Sequence, residues 1–157
     1  LAKDIGVSNK EAKHYIESYL AHYSGVDSYM KNVVEKANAD GYVETMFGRR
    51  RNLPELTSSK HMIRAFGERV ARNMPIQGTA ADIIKIAMIK VDERMKAENL
   101  RARLVLQVHD ELIVEAPQDE SMRVALIVQE EMENAVKMSV PLTADAAIGR
   151  TWYDAKG

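Results

Sequence analysis

The stretch that decides the fold is Leu104–Pro117, which reads LVLQVHDELIVEAP. Two short apolar runs, Leu104–Val108 and Leu112–Val114, flank the three polar residues His109-Asp110-Glu111. Apolar runs of this length, separated by a few polar residues, predict the two strands of a hairpin with the polar residues at its tip. Tight hairpin turns favour glycine because they need a positive φ, and this tip contains no glycine. The turn is therefore either strained or kept for its side chains, and strain gathers at functional sites.

The side chains at this tip suit a hard cation. Asp110 and Glu111 offer carboxylate oxygens, which are the ligands that Mg²⁺ prefers, and His109 adds an imidazole. One hairpin tip cannot fill an octahedral shell, so a further carboxylate must come from elsewhere. The alternative is an ordinary exposed acidic turn, and the spacing alone favours that alternative.

The segments on either side of the hairpin predict helices and one more strand. Apolar residues recur at helical spacing in Asp119–Lys137, and they alternate with other residues in Leu142–Ile148, which suggests a last strand. Before the hairpin, a long helical region runs from about Ser59 to Ala97. Pro75 should kink or break this helix, because proline lacks the amide hydrogen and clashes with the preceding turn.

The first part of the chain predicts two helices and a small hairpin. Ser8 and Glu11 have the spacing of a capping box, which opens the first of two amphipathic helices arranged as an αα-hairpin. Residues 42–47 are β-branched and aromatic, as in a strand. The Gly48-Arg49 pair then predicts a turn, and residues 50–53 a short returning strand.

The composition excludes several classes of protein. The chain has 157 residues, 46% hydrophobic and 29% charged, which is typical of one globular domain. It has no cysteine, so disulfides and thiolate metal sites are excluded. No apolar run approaches the ~20 residues of a membrane-spanning helix, and no signal segment opens the chain, so we expect a cytoplasmic protein. Because it begins at Leu1, directly before a capped helix, we expect a fragment of a longer protein.

Charge is distributed unevenly along the chain. Residues 49–72 contain seven bases and two acids, whereas residues 110–157 contain four bases and ten acids. The basic block begins with Arg49, Arg50 and Arg51, next to a predicted strand. These arginines suit sequence-independent contact with phosphates. The alternative is that both segments are ordinary solvated faces.

A polar row is predicted on the long helix. Arg69, Asn73 and Gln77 are spaced four apart, so they share a face if the helix continues past Pro75. These side chains can donate to and accept from base edges, including the acceptors of the minor groove. A solvated face is the alternative, although such faces usually carry lysine and glutamate. Gly78 follows the row, and a glycine inside a helix suggests close approach by a neighbouring backbone.

Three motifs together resemble the C-terminal palm and fingers portion of a family A DNA polymerase, of the bacterial DNA polymerase I type. The first motif is Gly41–Thr45 followed by Gly48–Arg51, the second is Asn73–Asp82, and the third is Leu106–Pro117. Trp152-Tyr153 resembles the usual end of that family. The resemblance covers nearly the whole chain, in order and at plausible spacing.

The resemblance implies an α+β, helix-rich fold with an incomplete antiparallel palm sheet that carries the metal-binding hairpin. Residues 1–40 would be a helical hairpin of the fingers, and residues 41–157 the palm with its DNA-contacting helix. An incomplete sheet should expose an unpaired edge.

The resemblance also implies roles for the site residues. Asp110 would bind the two catalytic Mg²⁺ ions, Glu111 would support it, and His109 would lie near the primer-terminal sugar-phosphate. The helical row would line the minor groove of primer–template DNA, and the arginine turn would contact its backbone. The row consists of Arg69, Asn73 and Gln77, and the turn consists of Arg49, Arg50 and Arg51.

Parts of the family pattern are missing from this chain. It lacks the Asp-Tyr-Ser-Gln-Ile-Glu-like strand with the second metal-binding aspartate, and it lacks the fingers helix that binds the incoming deoxynucleoside triphosphate. We therefore expect the isolated chain to be inactive and to depend on the rest of a polymerase chain. Two other classes remain open at this point: a non-catalytic duplex-DNA-binding fragment and an unrelated metal-dependent hydrolase.

Overall fold

The computed structural model describes residues 1–156 as a helix-rich α+β chain with two small antiparallel sheets, in agreement with the predicted fold class. Its elements, in chain order, are α1 (Ala2–Ile5), α2 (Asn9–His22), α3 (Ser24–Asp40), β1 (Tyr42–Glu44), β2 (Arg50–Asn52), a 3-10 helix (Pro54–Thr57), α4 (His61–Ala97), β3 (Arg103–Val108), β4 (Glu111–Glu115), α5 (Ser121–Glu133) and α6 (Trp152–Ala155). The contacts divide the chain into a first unit, Leu1–Gly78, and a second unit, Thr79–Gly157. The assignment of residues 1–40 to fingers and 41–157 to palm stays a prediction.

The first unit begins with the predicted capping box. The Ser8 hydroxyl accepts from the Glu11 amide at 3.2 Å, and the Glu11 carboxylate accepts from the Ser8 amide at 3.0 Å. These bonds satisfy two of the amides that a helix start leaves without partners, so α2 begins at the predicted place. The Ser8 hydroxyl also donates to the Glu11 carboxylate at 2.7 Å, and this bond, followed by the bond from the Ser8 amide, lowers the pKa of the Glu11 carboxyl.

The core of the first unit lies where α3, β1, the segment around the 3-10 helix and α4 meet. Its buried residues are Ala37, Val43, Leu53, Leu56 and Ala71, and the partly buried residues packed on them are Val33, Val34, Val70 and Met74. The predicted hairpin of residues 42–53 is confirmed, since β1 pairs with β2 with Tyr42 opposite Asn52 and Glu44 opposite Arg50. The core thus fixes the hairpin and one face of α4 to the same interior.

The long helix continues through Pro75, so of the two expected effects, a kink or a break, the break is wrong. Helix α4 extends over 37 residues with Pro75 inside it. Proline removes one hydrogen bond, the one that would reach the carbonyl of Ala71, while the flanking turns keep theirs. The packing of Val70, Ala71 and Met74 in the core holds the helix together on the N-terminal side of the proline.

The second unit packs a strand hairpin and α5 on the C-terminal half of α4. Its core consists of Val91, Met95, Ala102, Val124 and Ile127, with Leu100, Leu104, Leu112, Val114, Ala116 and Val128 partly buried around them. Strands β3 and β4 pair antiparallel as predicted, with a bulge at Val105, because Leu104 faces Val114 while Leu106 faces Ile113. Residues two apart in a regular strand point to the same face. The bulge changes this, so that Leu104 points toward the core and Leu106 points to the opposite face.

An ion-pair network also joins α4 to α5. Arg94 lies 2.6 Å from the Glu130 carboxylate and 2.8 Å from that of Glu131, and it also reaches Glu98 at 3.3 Å. Arg123 of α5 donates two hydrogen bonds to Glu98, at 2.5 and 2.6 Å. The pKa of Glu98 is lowered from its ordinary value of 4.5, mainly by the hydrogen bonds from Arg123 and to a smaller extent by the bond from Arg94.

The network predicts a pH-dependent contribution to stability. A carboxyl whose pKa is lowered by folding stabilises the protein above its ordinary pKa and loses that effect as the pH falls through the lowered value. We expect Arg123→Leu to lower the thermal unfolding midpoint by a few degrees at pH 7 and by less as the pH falls below the ordinary pKa of Glu98. The control is Arg150→Leu, since Arg150 is exposed and forms no ion pair within residues 1–156. An equal loss across this pH range would show that Arg123 acts through packing alone.

The end of the chain differs from the expected last strand. Residues 141–149 have no regular structure in the described chain, and most of them are exposed. Alternating residues form a strand only when another strand supplies hydrogen-bond partners, and no strand of residues 1–156 pairs with this segment. A short helix, α6, follows. Thr151 and Asp154 form a second capping box at its start, and this box was not predicted from the sequence. None of the described helices has both the length and the apolar character needed to cross a membrane.

Candidate functional site

The hairpin of the second unit ends in a two-residue turn. Val108 faces Glu111 as the last pair of the ladder, so His109 and Asp110 form the turn. His109 has a φ of 52°, in the left-handed region that glycine adopts most easily. The absence of glycine, noted in the sequence, therefore corresponds to a strained backbone at the tip.

A side chain not singled out from the sequence supports this turn. The amide nitrogen Nε2 of Gln107 donates to the carbonyl oxygen of His109 at 2.5 Å. The bond fixes the strained residue from its own strand. Gln107 belongs to the quoted motif, but a hydrogen bond between residues two apart depends on the local backbone, which the spacing does not specify.

The two carboxylates at the tip are in different environments. Asp110 is exposed at the turn, and Glu111, the first residue of β4, is half-buried. The Oε2 atom of Glu111 is buried without a hydrogen-bond partner among the described residues. A buried carboxylate oxygen is costly without a partner, and a cation is one group that offsets this cost. The oxygen donors therefore fit a hard divalent ion, although residues 1–156 contain no group of three or more histidine or acidic side chains arranged so that it could hold a metal ion.

The polar row of the first unit is open to solvent. Arg69, Asn73 and Gln77 are all exposed along one face of α4. The Arg69 guanidinium lies 5.6 Å from the ring centre of Phe66, and the side chains of Asn73 and Gln77 form no hydrogen bond within residues 1–156. Phe66 is 42% exposed and Ile76 is 52% exposed on the same face. A face that mixes apolar groups with amides differs from an ordinary solvated face and suits the edges and sugars of a nucleic acid.

The basic turn lies at the end of the β1–β2 hairpin. Gly48 has a φ of 76°, which permits the chain reversal, and all three arginines that follow it are exposed. Arg50 lies over the Tyr42 ring at 4.4 Å and donates from Nε to Glu44 at 3.2 Å. These two contacts hold the Arg50 guanidinium along the hairpin, and Arg49 and Arg51 are its neighbours in the sequence.

A neighbour approaches Gly78 closely, as predicted, but it is a side chain and not a backbone segment. A Cβ atom at this position would lie 2.7 Å from Cγ2 of Thr45, nearer than real Cβ contacts come. Helix α4 and the β1–β2 hairpin thus touch at the residue that follows Gln77. The row and the basic turn therefore belong to one packed unit, while His109, Asp110 and Glu111 belong to the second.

The family model described as DNA polymerase family A matches residues 1–154. Among curated proteins, the chain is 53% identical over 156 residues to DNA polymerase I of Bacillus caldotenax and 51% identical to that of Bacillus subtilis. Each match covers 99% of this chain and 18% of the relative, so the chain spans about a fifth of the length of these relatives.

A solved structure is similar over the whole chain. It is the POL domain of Pol1 from M. smegmatis in complex with a DNA primer-template and dNTP. The TM-score is 0.95 at 46% sequence identity, and the match covers 100% of this chain and 28% of that one.

Proposed function

Because the chain belongs to DNA polymerase family A, we propose that it is part of a longer DNA-directed DNA polymerase that acts in DNA replication or repair. The proposed reaction is transfer of a deoxynucleotide to a primer 3′ end. The strongest support from the geometry is the pair Asp110, in a strained turn, and Glu111, at the start of β4, with a buried carboxylate oxygen of Glu111 that has no partner in the described chain.

Asp110 and Glu111 would hold Mg²⁺ together with a second aspartate from outside this chain. When bound, such ions would supply positive charge to the reacting oxygens of nucleotidyl transfer. The chain's own contribution is to present oxygen ligands at a fixed place, since Gln107 and the β3–β4 ladder hold the turn. His109 would lie beside the primer-terminal sugar-phosphate.

The row on α4 would contact the minor groove of primer–template DNA. Acceptors in that groove occupy similar positions in all correct base pairs, so Asn73 and Gln77 can test pair geometry without reading sequence. Arg69 would contribute charge to the same face, and Arg49, Arg50 and Arg51 would contact the phosphate backbone. The similar Pol1 domain was solved with a DNA primer-template and dNTP, which supports these partners for this chain.

We assign residues 1–40 to the fingers and residues 41–157 to the palm within the proposed polymerase. The deoxynucleoside triphosphate would bind mainly to a fingers helix outside this chain. The 157-residue chain would be inactive by itself, because it lacks that helix and the second aspartate.

Replacing Gln77 tests the proposed DNA contact. In the full-length protein, Gln77→Ala should weaken primer–template binding about fivefold, the effect of losing one hydrogen bond of about 1 kcal/mol. It should also reduce discrimination against a mismatched primer end, measured as the ratio of extension rates. The matched control is Gln118→Ala, since Gln118 is an exposed glutamine of the second unit.

Two results would contradict the proposal. Equal effects of the two substitutions would mean that the row does not contact DNA. Salt-dependent duplex binding by the full-length protein without any primer extension would favour a non-catalytic DNA-binding protein instead.

A further inference from the structure

We propose that Thr45 is a positioning residue that fixes the arginine turn to helix α4. In this position it would hold the phosphate-contacting arginines at a constant distance from the minor-groove row. The inference rests on the proposed function, which gives both groups a DNA contact. Nothing in the sequence motifs assigned a role to Thr45, although it lies within the first of them.

The hydroxyl side of Thr45 organises the turn. Thr45 is 4% exposed, and its Oγ1 accepts hydrogen bonds from the backbone amides of Phe47 and Arg49, both at 3.2 Å. The Thr45 amide donates to the Arg49 carbonyl at 2.9 Å, and the Gly48 amide donates to the Thr45 carbonyl at 3.0 Å. Thr45 therefore takes part in four hydrogen bonds that define the path of residues 45–49.

The methyl side of the same residue faces α4. Cγ2 of Thr45 occupies the space that a side chain at position 78 would need, since an added Cβ would come within 2.7 Å of it. Gly78 follows Gln77 directly in the helix. One buried side chain thus contacts the helix with its methyl group and the basic turn with its hydroxyl group.

The strand ladder next to this turn is short. Strands β1 and β2 have three residues each and form three pairs, and a two-stranded ladder of that length is marginally stable. Without the hydrogen bonds of Thr45 the turn would be less ordered, and the arginines beside it would sample more positions. Ordering them on each DNA encounter would then cost conformational entropy and weaken binding.

Two substitutions separate the roles of the hydroxyl and methyl groups. Thr45→Val keeps the branched shape against Gly78 but leaves the amides of Phe47 and Arg49 without their shared acceptor. Thr45→Ser keeps that acceptor but removes the methyl group. A residue that acts only by packing would tolerate valine better than serine, whereas a positioning residue of the proposed kind would tolerate serine better.

The experiment uses the full-length protein and measures primer–template affinity by fluorescence anisotropy at several salt concentrations, together with kcat and the KM for dNTP. We expect Thr45→Val to weaken DNA binding about tenfold, because the arginines of the turn would then have to be ordered when DNA binds. The slope of affinity against salt should become shallower, because fewer phosphates are contacted. The kcat and the KM for dNTP should stay within about twofold of the wild type, and Thr45→Ser should retain most of the affinity.

Wild-type affinity in Thr45→Val, or a larger loss in Thr45→Ser than in Thr45→Val, would overturn the inference. A matching fall in the thermal unfolding midpoint and in kcat would show a structural role only and would overturn it as well. Arg51→Ala distinguishes this failure from failure of the proposed function. If Arg51→Ala weakens binding and Thr45→Val does not, the positioning role alone is wrong; if neither has an effect, the proposed DNA contact of the turn is wrong.

Discussion

Asp110→Asn is expected to reduce primer extension by the full-length protein by about a thousandfold or more, while primer–template binding is retained. The substitution removes a negative oxygen ligand from the proposed metal site, and most of the catalysis in two-metal transfer comes from the charge that the ions supply. Asp110 is exposed at the tip of the β3–β4 hairpin, so the change to an amide of the same shape leaves the fold intact. The extension rate with saturating DNA and nucleotide checks this expectation.

The matched control for this prediction lies on the same hairpin. Glu115→Gln makes the same change of a carboxylate to an amide at the opposite end of β4, where Glu115 is exposed and pairs with Arg103 at 3.4 Å. We expect its extension rate to stay within about twofold of the wild type, because exposed ion pairs contribute little. A comparable loss in both variants would indicate that the hairpin's overall charge matters, and the metal assignment would fail.

Ile127→Ala is expected to lower the local free energy of unfolding of the second unit by about 3 kcal/mol. Ile127 is fully buried, and the core around it includes Leu104, Leu112 and Val114 of the β3–β4 hairpin. Removing three carbon atoms from this interior loses their burial and leaves a cavity that the neighbours fill only in part. Because a protein of several domains does not unfold in one step, hydrogen exchange of the amides in residues 103–133 is the suitable measurement.

The adjacent residue provides the control. Leu126 is 44% exposed on the other side of α5, so Leu126→Ala removes a similar number of carbon atoms without opening a cavity. Its exchange protection should change by less than about 1 kcal/mol. Equal loss of protection in both variants would show that α5 is stabilised by helix propensity, with little contribution from the core.

The sequence predicted the parts of the fold that depend on neighbours in the chain. The Ser8 capping box, the hairpin of residues 42–53 and the hairpin around His109 all form where expected, because each is decided by residues a few positions apart. Gly78 is an exception: a glycine within a helix has a cost that a tertiary contact has to offset, so a close approach could be predicted there, whereas the approaching group, Cγ2 of Thr45, could not.

Features that depend on distant partners were not predictable in this way. Residues 142–148 alternate like a strand, but a strand also needs a partner, and the pattern does not show whether one is present. Proline usually breaks a helix, but at Pro75 the packing of Ala71 and Met74 outweighs the loss of one hydrogen bond. The identity of the site residues could be proposed from the motifs, but the contacts of Gln107 and Thr45 follow only from three-dimensional positions.

The bulge at Val105 allows the two ends of strand β3 to pair with β4 in different registers, which a regular strand cannot do. Without the extra residue, Leu104 would point to the same face as Leu106 and Val108, because side chains alternate strictly along a strand. The insertion lets the tip keep the register set by its two-residue turn, while the base of the hairpin keeps the register set by the interior. Evolution could therefore repack the base of this hairpin without changing where the carboxylates point, and the chemistry at the tip could persist while the supporting interior diverged.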